Sequence, residues 1–407
     1  MSAAQILADV KVLDLSRVLA GPWCTQSLAD MGATVYKIER LGTGDEMRQS
    51  PPFLKNAEGV AGKDTTSYVC VNRGKQSLTI DFTQPAGRQL LLDLVARCDV
   101  LVENFKAGDL HRYGLDYASV SAVNPSIVYC SITGYGQDGP MASQPGYDPV
   151  FQAISGLMST CGLPDGVPGG GPMRAMVPIV DVMTGMVSTT AVLAALLHRK
   201  KTGEGQHLDI ALLDVAMAAS VHLGQTHLTT GKLPQRAGNG SLLFAPANCF
   251  PCKEGHIFIQ IGNDMQWTRL CNSLGKDDWQ QDPRYATNAQ RMEHKQELDA
   301  RLSDITRGWD KQALAELLGA AGVPCGPVNN LAQAFAHPQV QHRGIRVPLE
   351  HPIYGRLDVI RSPLRFSRTP VEHRIPPALG ADTAQVLASE LGVDAAQFAQ
   401  FEAAGLV

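Results

Sequence analysis

VKVLDLSRVLAGPWCTQSLADMGATVYKIE, residues 10–39, begins with a β-branched run, VKVLDL, and ends with another, ATVYKIE. The stretch between them, from Pro22 to Met31, mixes apolar and polar residues at helical spacing, so the whole segment reads as strand, helix, strand. The same rhythm continues downstream. SLTIDF (77–82) precedes a helical segment opening at Pro85 and running to about Arg97; DVLVENF (99–105) precedes a helical stretch near 115–123; IVYCSITGYG (127–136) follows. Strands separated by single helices require crossover connections, and crossovers make a mainly parallel sheet covered on both faces. The expected fold class is therefore α/β, a Rossmann-like doubly wound sheet.

Further along, glycine and proline crowd into CGLPDGVPGGGPMR (161–174), a loop by composition. The most legible helix runs from Val182 to about Lys200, with Met186, Val187, Val192, Leu193, Leu196 and Leu197 as its apolar positions, and stops at Thr202–Gly205. QHLDIAL reads as a strand and DVAMAASVHL as a helix. From about 225 the character changes to a Gly/Asn-rich turn (RAGNGS), the strand EGHIFIQIG and several helices, which reads as a smaller α+β domain. Residues 1–205 are assigned to the first segment of the large domain, 206–225 to a linker and 226–325 to the small domain. Residues 326–407 are assigned to a second linker and a return to the large domain, with one helix near 383–391. No internal repeat is visible.

The chain has 407 residues, 44% of them hydrophobic, enough for two buried cores. Thirty-five basic residues against 39 acidic ones give a formal charge of −4, which supplies no general field for nucleic acid or an anionic bilayer. No basic region followed by an apolar stretch opens the sequence, and no window is read as approaching the ~20 apolar residues of a membrane helix. A cytoplasmic location without membrane or nucleic-acid partners is the expectation. The nine cysteines are scattered and read as reduced thiols. Cys249 and Cys252 have the spacing of half a zinc or redox site, but no second pair accompanies them, so no metal is expected.

Glu39 falls about where a ribose-binding carboxylate belongs in a dinucleotide site. Between Leu15 and Met31, however, Gly21 is the one glycine, so the backbone has no close-approach loop for a pyrophosphate, and NAD or FAD is set aside.

Asp181 stands between the apolar run MVPIV and the strong helix. An aspartate at that place reads as an N-cap from spacing alone. It is also placed to act as a nucleophile, since apolar neighbours limit solvation of its carboxylate and helix-end N–H groups steady nearby negative charge.

VLDLSRVLAGP, GATVYKIE, GDEMR, NRGKQSLTID, DVLVENF, SITGYGQDGP, PGYDPVFQA, IVDVMTG through LAALLHRKKTGEGQHLDIALLD, VPCGPVNN and LGADTAQVL occur in that order. Jointly they resemble the class III (CaiB/BaiF) CoA-transferase family, from about residue 10 to the C-terminus. The resemblance implies an interlocked homodimer, a coenzyme A thioester as co-substrate rather than a permanently bound cofactor, and a carboxylic acid as the second substrate. It also implies Asp181 as the nucleophile, which forms a mixed anhydride and then an aspartyl-CoA thioester. A carboxylate suits such exchange because its acyl derivatives stay about as activated as the substrates.

The resemblance places coenzyme A on loops at the strand ends of the large domain. Val18 and Leu19 would border pantetheine and nucleotide. Arg40 would face the adenosine, Asn72, Arg73 and Lys75 would form a polar phosphate loop, and Asn104, Phe105 and Arg112 would close the same groove. Tyr147 and Asp148 would lie beside the thioester. Related acyl-CoA racemases carry histidine where Tyr147 stands, and tyrosine is a poorer base near neutral pH, so transfer is preferred to racemisation. A catalytically silent CoA-binding protein is the third alternative. Formyl-CoA transferases have histidine, glutamine and a four-glycine run at positions where this chain has Arg17, Leu19 and no such run. Arg17 is instead suited to a second carboxylate, pointing to dicarboxylates such as succinate, glutarate, malate or citramalate.

Overall fold

Lys11–Asp14 pairs in parallel with Thr34–Glu39 on one side and with Val100–Glu103 on the other. Extended outward, the sheet runs Gln76–Thr79, Thr34–Glu39, Lys11–Asp14, Val100–Glu103, Val128–Thr133, Gln206–Ala211, six strands in all and every pairing parallel. Counted within this sheet the order is 3-2-1-4-5-6, the doubly wound order in which the connections reverse direction between the first and fourth strands. Loops leaving those two strands at their C-terminal ends diverge and leave a crevice, and ligands of such sheets bind there.

The computed structural model describes residues 5–407. Residues 1–4, part of the segment read as lacking a signal peptide, lie outside them. The chain divides into two units, one comprising the chain up to Gly156, Ala175–Gln225 and Gln341–Val407, the other Leu157–Arg174 and Thr226–Val340. The first unit holds the parallel sheet. Leu13, Ile38, Leu78, Leu91, Leu101 and Tyr129, all buried, form a core between sheet and helices, to which Val386 and Leu387 of the C-terminal helix Thr383–Leu391 contribute. A further helix, Ala395–Ala403, follows beyond the one expected.

The second unit is built on a three-stranded antiparallel sheet of Ala247–Pro251, His256–Gln260 and Cys325–Pro327, with helices packed on it. Trp267, Trp279, Tyr285 and Leu298 fill its core. The fully buried Arg291 donates to the Ala245 and Tyr285 carbonyls at 2.8 and 3.0 Å and to Asp264 at 2.8 Å. Cys249 and Cys252 are both free thiols.

Two boundaries differ from the sequence reading. The segment 206–225, expected as a linker, contains the sixth strand of the sheet and the helix Leu212–Ala218, because QHLDIA finds a parallel partner in Val128–Thr133. The glycine-rich stretch 161–174, expected within the large domain, belongs to the second unit, where Gly238 N–H donates to Gly162 O at 2.9 Å and Arg236 pairs with Asp165.

The long helix Ile179–Thr202 has a mean hydropathy of 1.7 over its most apolar window, so by length and composition it is able to cross a bilayer, contrary to the sequence expectation. In the structure it packs on the helix Ala20–Asp30 and on the last two strands of the sheet. Gly185 makes the first of these contacts possible: a Cβ there would lie 2.8 Å from the Ala20 carbonyl oxygen and 2.9 Å from Trp23. Replacing a helical glycine by alanine ordinarily stabilises by about 1 kcal/mol. Here the obstruction includes backbone, so Gly185→Ala should instead lower stability by about 1–3 kcal/mol, read as a lower urea midpoint at unchanged m-value.

Candidate active site

The turn after the first strand is held from three sides. Asp14, fully buried, accepts from the backbone N–H of Ser16 at 3.0 Å and from the hydroxyl of Thr25 at 2.6 Å. Asn104, at the end of the fourth strand, accepts from Arg17 N–H at 2.8 Å and donates back to Arg17 O at 2.7 Å. Asp45 accepts from Val18 N–H at 3.2 Å and is itself bound by the buried Lys37 at 2.9 Å, whose ammonium also reaches Ser16 O. Val18 needs this support because its φ is 68°, in the left-handed region that costs a β-branched residue about 1–3 kcal/mol. Burial pushes the Asp14 carboxyl upward, but the charges of Lys75 and Lys37 with the Ser16 and Thr25 hydroxyls outweigh it and hold its pKa at about 2.

Two cavities flank this turn and share Arg17 and Phe105 in their walls. One, of about 460 Å³, is lined by Arg40, Leu41, Phe82, Thr83, Arg112 and Tyr113 among others. The second, of about 440 Å³, is lined by Val18, Leu19, Asn104, Lys106, Tyr147 and Asp181 among others. Both lie in the crevice where the strand order reverses.

Asp181 is the third residue of the helix Ile179–Thr202, which begins earlier than the sequence suggests. The N-cap position is Pro178, whose side chain caps nothing. Capping comes instead from Asp148, buried at the start of the helix Asp148–Ile154, whose Oδ2 accepts from the N–H groups of Val180 and Asp181 at 2.7 and 3.1 Å. Gln152 orients that carboxylate by donating to Oδ1 at 2.5 Å. Asp181 is thereby released from capping, and among the described residues no group donates to its carboxylate. Burial and, secondarily, the charge of Asp148 push its pKa up to about 7. A carboxylate without donors, in a cavity wall, retains the electron density that a nucleophile needs.

Several residues expected at the ligand lie elsewhere. Arg73 is buried and makes a two-point pair with Asp30, Nε to Oδ1 at 3.0 Å and Nη2 to Oδ2 at 2.6 Å, and also donates to Ile360 O. Lys75 is buried on Asp14, the Pro22 carbonyl and Asn72 at 3.0, 3.0 and 2.8 Å. Asn72 is fully buried as well, donating to Tyr68 O. None of the three lines either cavity: a buried cation must be paired, and Arg73 and Lys75 are paired within the fold, beneath the loops that do line them. Asp148 likewise contacts the helix rather than the cavity. Arg40 and Arg112 do line the first cavity, the latter 4.8 Å from the Tyr113 ring centre. Arg17, Val18, Leu19, Asn104, Phe105 and Tyr147 all line the second.

Glu39, the would-be ribose ligand, is buried and consumed by Arg48, which donates to its two oxygens at 2.8 and 2.7 Å. Sequence reasoning missed Glu46, Lys106 and the Gly134 and Gly146 walls of the second cavity. Glu46 stands in GDEMR, and nothing in the spacing of that stretch marks it as cavity-lining.

Residues 7–383 match the model of CoA-transferase family III. The succinate–glutarate CoA-transferase of Agrobacterium fabrum is 44% identical over 94% of this chain and 95% of its own length. The succinyl-CoA:glutarate CoA-transferase of Homo sapiens is 37% identical over 100% of this chain and 91% of its own. Among solved structures, a CAIB/BAIF family protein from Brucella suis superposes with a TM-score of 0.86 at 38% identity, covering 95% of this chain and 99% of that one. With the family model matched over nearly the whole chain and these relatives aligned along their length, the chain belongs to CoA-transferase family III and is an enzyme that transfers coenzyme A.

Proposed function

We propose that the enzyme moves coenzyme A from a dicarboxylic acyl-CoA of the succinyl-CoA kind to a free dicarboxylic acid, through covalent intermediates on Asp181. The observation carrying this reading is the Asp181 carboxylate itself, unbonded and half-buried in the wall of a cavity. The dicarboxylate preference is supported by the activities named for the relatives from Agrobacterium fabrum and Homo sapiens.

In the first half-reaction an Asp181 oxygen attacks the thioester carbonyl, the C–S bond breaks, and CoA leaves as a thiolate with the Asp181–acyl anhydride formed. The thiolate then attacks the aspartyl carbonyl, expelling the donor acid as a carboxylate and leaving an aspartyl-CoA thioester. The acceptor carboxylate attacks that thioester and regenerates thiolate and anhydride. Attack of the thiolate on the acceptor's own acyl carbon gives the new acyl-CoA and frees Asp181. No proton is taken up or released in the sum. The structural contribution is to hold the nucleophile ionisable but poorly solvated, with Asp148 occupying the helix-start N–H groups so that the Asp181 carboxylate stays unbonded. An isomerase reading is less well supported: among the described residues no histidine lines the Asp181 cavity, and Tyr147 stands in its wall.

The assembly is read as an interlocked homodimer. Only 33% of the apolar window of Ile179–Thr202 is buried within one chain, and Met186 and Leu197 on that helix are 57% and 63% exposed. Apolar surface of this kind marks a protein interface. Sedimentation should give a dimer down to the lowest measurable concentrations, and a folded, active monomer would contradict it.

Incubation with succinyl-CoA should add the mass of a covalent CoA adduct to the wild type and none to Asp181→Asn, with the adduct mapping to Asp181. The same variant reports on the cost of the site. A raised folded-state pKa gives stability that is present below about pH 4 and lost as pH rises through about 7. Asp181→Asn should therefore equal the wild type in stability at pH 4 and exceed it above pH 7, by at most about 4 kcal/mol.

Activity has the opposite sign, because the ionised form attacks: kcat/KM for the donor should rise through pH 7 and level off above it. Asp148→Asn removes the neighbouring charge and should move this acid limb to lower pH. Asp148→Ala also removes the cap, costing about 1–2 kcal/mol. An acid limb that does not move in Asp148→Asn would contradict the coupling.

A further inference from the structure

Arg17 stands in the wall shared by both cavities, its guanidinium 4.8 Å from the centre of the Phe105 ring. It is paired with Glu46 through a single contact, Nη1 to Oε1 at 2.6 Å. That pair is half made. Arg17 Nε and Glu46 Oε2 are both enclosed away from solvent and both without a hydrogen-bond partner. Guanidinium and carboxylate normally meet through two parallel bonds, so an enclosed donor and an enclosed acceptor left over here mark a contact open to replacement.

Glu46 has somewhere else to go. Its Oε1 also lies 3.5 Å from Arg40 Nη2. It sits on the short turn Glu46–Gln49, fixed at its start by Asp45 and by Arg48, which grips Glu39 and Asp64. Loss of Arg17 therefore does not strand the Glu46 charge, and the turn that carries it need not move. Arg17 is fixed in turn by its backbone bonds to Asn104 and by stacking on Phe105, so the Nη1 that Glu46 covers is held with little freedom left to lose.

We propose that Arg17 and Glu46 form an exchangeable ion pair, in which the distal carboxylate of a dicarboxylic acyl group replaces Glu46 on Arg17 while Glu46 remains on Arg40. Glu46 is then a stand-in for the substrate's second carboxylate. A monocarboxylic acyl group cannot make the exchange and leaves the pair half made. This proposal rests on the transfer reading above and assigns its chain-end specificity. Lys106, the other cation in the wall, is an exposed, strongly hydrated ammonium with no comparable support, and is the rival candidate.

The test uses the full-length enzyme with succinyl-CoA as donor and compares kcat/KM for glutarate and for valerate, acids of one length differing in the second carboxylate. In a double-displacement reaction this quantity reports only on the loaded enzyme, so the loading step does not enter. Arg17→Met should lower the glutarate-to-valerate ratio on the order of 100-fold, with Arg17→Lys restoring part of it. Glu46→Gln removes the competitor and should raise the ratio, about three- to ten-fold, through a lower KM for glutarate. An Arg17→Met variant that loses both acids equally makes Arg17 a coenzyme A or structural contact and overturns the proposal. So does a Glu46→Gln variant with a lowered ratio, or collapse of the ratio in Lys106→Met instead. Absence of any aspartyl-CoA adduct in the wild type is a separate result, read first by mass, and is the failure of the transfer reading itself.

Discussion

Asp148 Oδ2 accepts the N–H groups of Val180 and Asp181, and through that contact a residue far away in sequence sets where the long helix begins. An aspartate at the start of a helix ordinarily spends its carboxylate on the free N–H groups of the first turn. With Asp148 occupying them, the Asp181 carboxylate is left with no donor in a cavity wall. The same neighbour's charge adds to burial in raising the proton affinity of Asp181. The cap that the sequence suggests of Asp181 is thus made by Asp148, and that division leaves the Asp181 carboxylate chemically available.

The remaining site depends on how the sheet's crevice is furnished. The strand order is that of dinucleotide-binding folds, but the first turn is built from Ser16, Arg17, Val18 and Leu19 instead of glycines. Its left-handed Val18 is tolerated because Asp14, Asp45 and Asn104 over-determine the backbone around it. Beneath lies a layer of buried charge, Lys37 on Asp45, Lys75 on Asp14, Arg73 on Asp30 and Arg48 on Glu39. Buried ion pairs of this kind contribute little net stability, since desolvation offsets attraction, but removing one partner strands the other. Their effect is geometric: they set the loop positions from below, while Arg40, Arg112 and Arg17 line the cavity walls.

Strain, an unsolvated carboxylate and a half-made ion pair collect within one cavity wall, and all three lower stability where they stand. Transfer through Asp181, as proposed, is served by side chains whose hydrogen-bonding capacity the surrounding fold does not use up. The apolar core of the first unit, with its parallel sheet and the close Gly185 crossing, supplies the stability against which this is drawn.

The chain's hydrophobic rhythm was sufficient for the parallel sheet, since β-branched runs and helical stretches alternate with a period that admits only crossover connections. Ordered motifs were sufficient for the family, and the resemblance they carry pointed to Asp181 and to Arg17, Arg40, Asn104 and Arg112, all of which line the two cavities. Pairing was not legible. Arg73 and Lys75 look like phosphate ligands until Asp30 and Asp14 are brought against them from elsewhere in the chain. QHLDIA reads as a strand, but that it is the sixth strand of the sheet rather than part of a linker shows only when Val128–Thr133 pairs with it, and Asp148 looks like a ligand contact until the helix start arrives above it. Local pattern reports what a segment can become, whereas the partner of a buried charge or an unfilled N–H is decided by distance in space, which one-dimensional spacing does not encode.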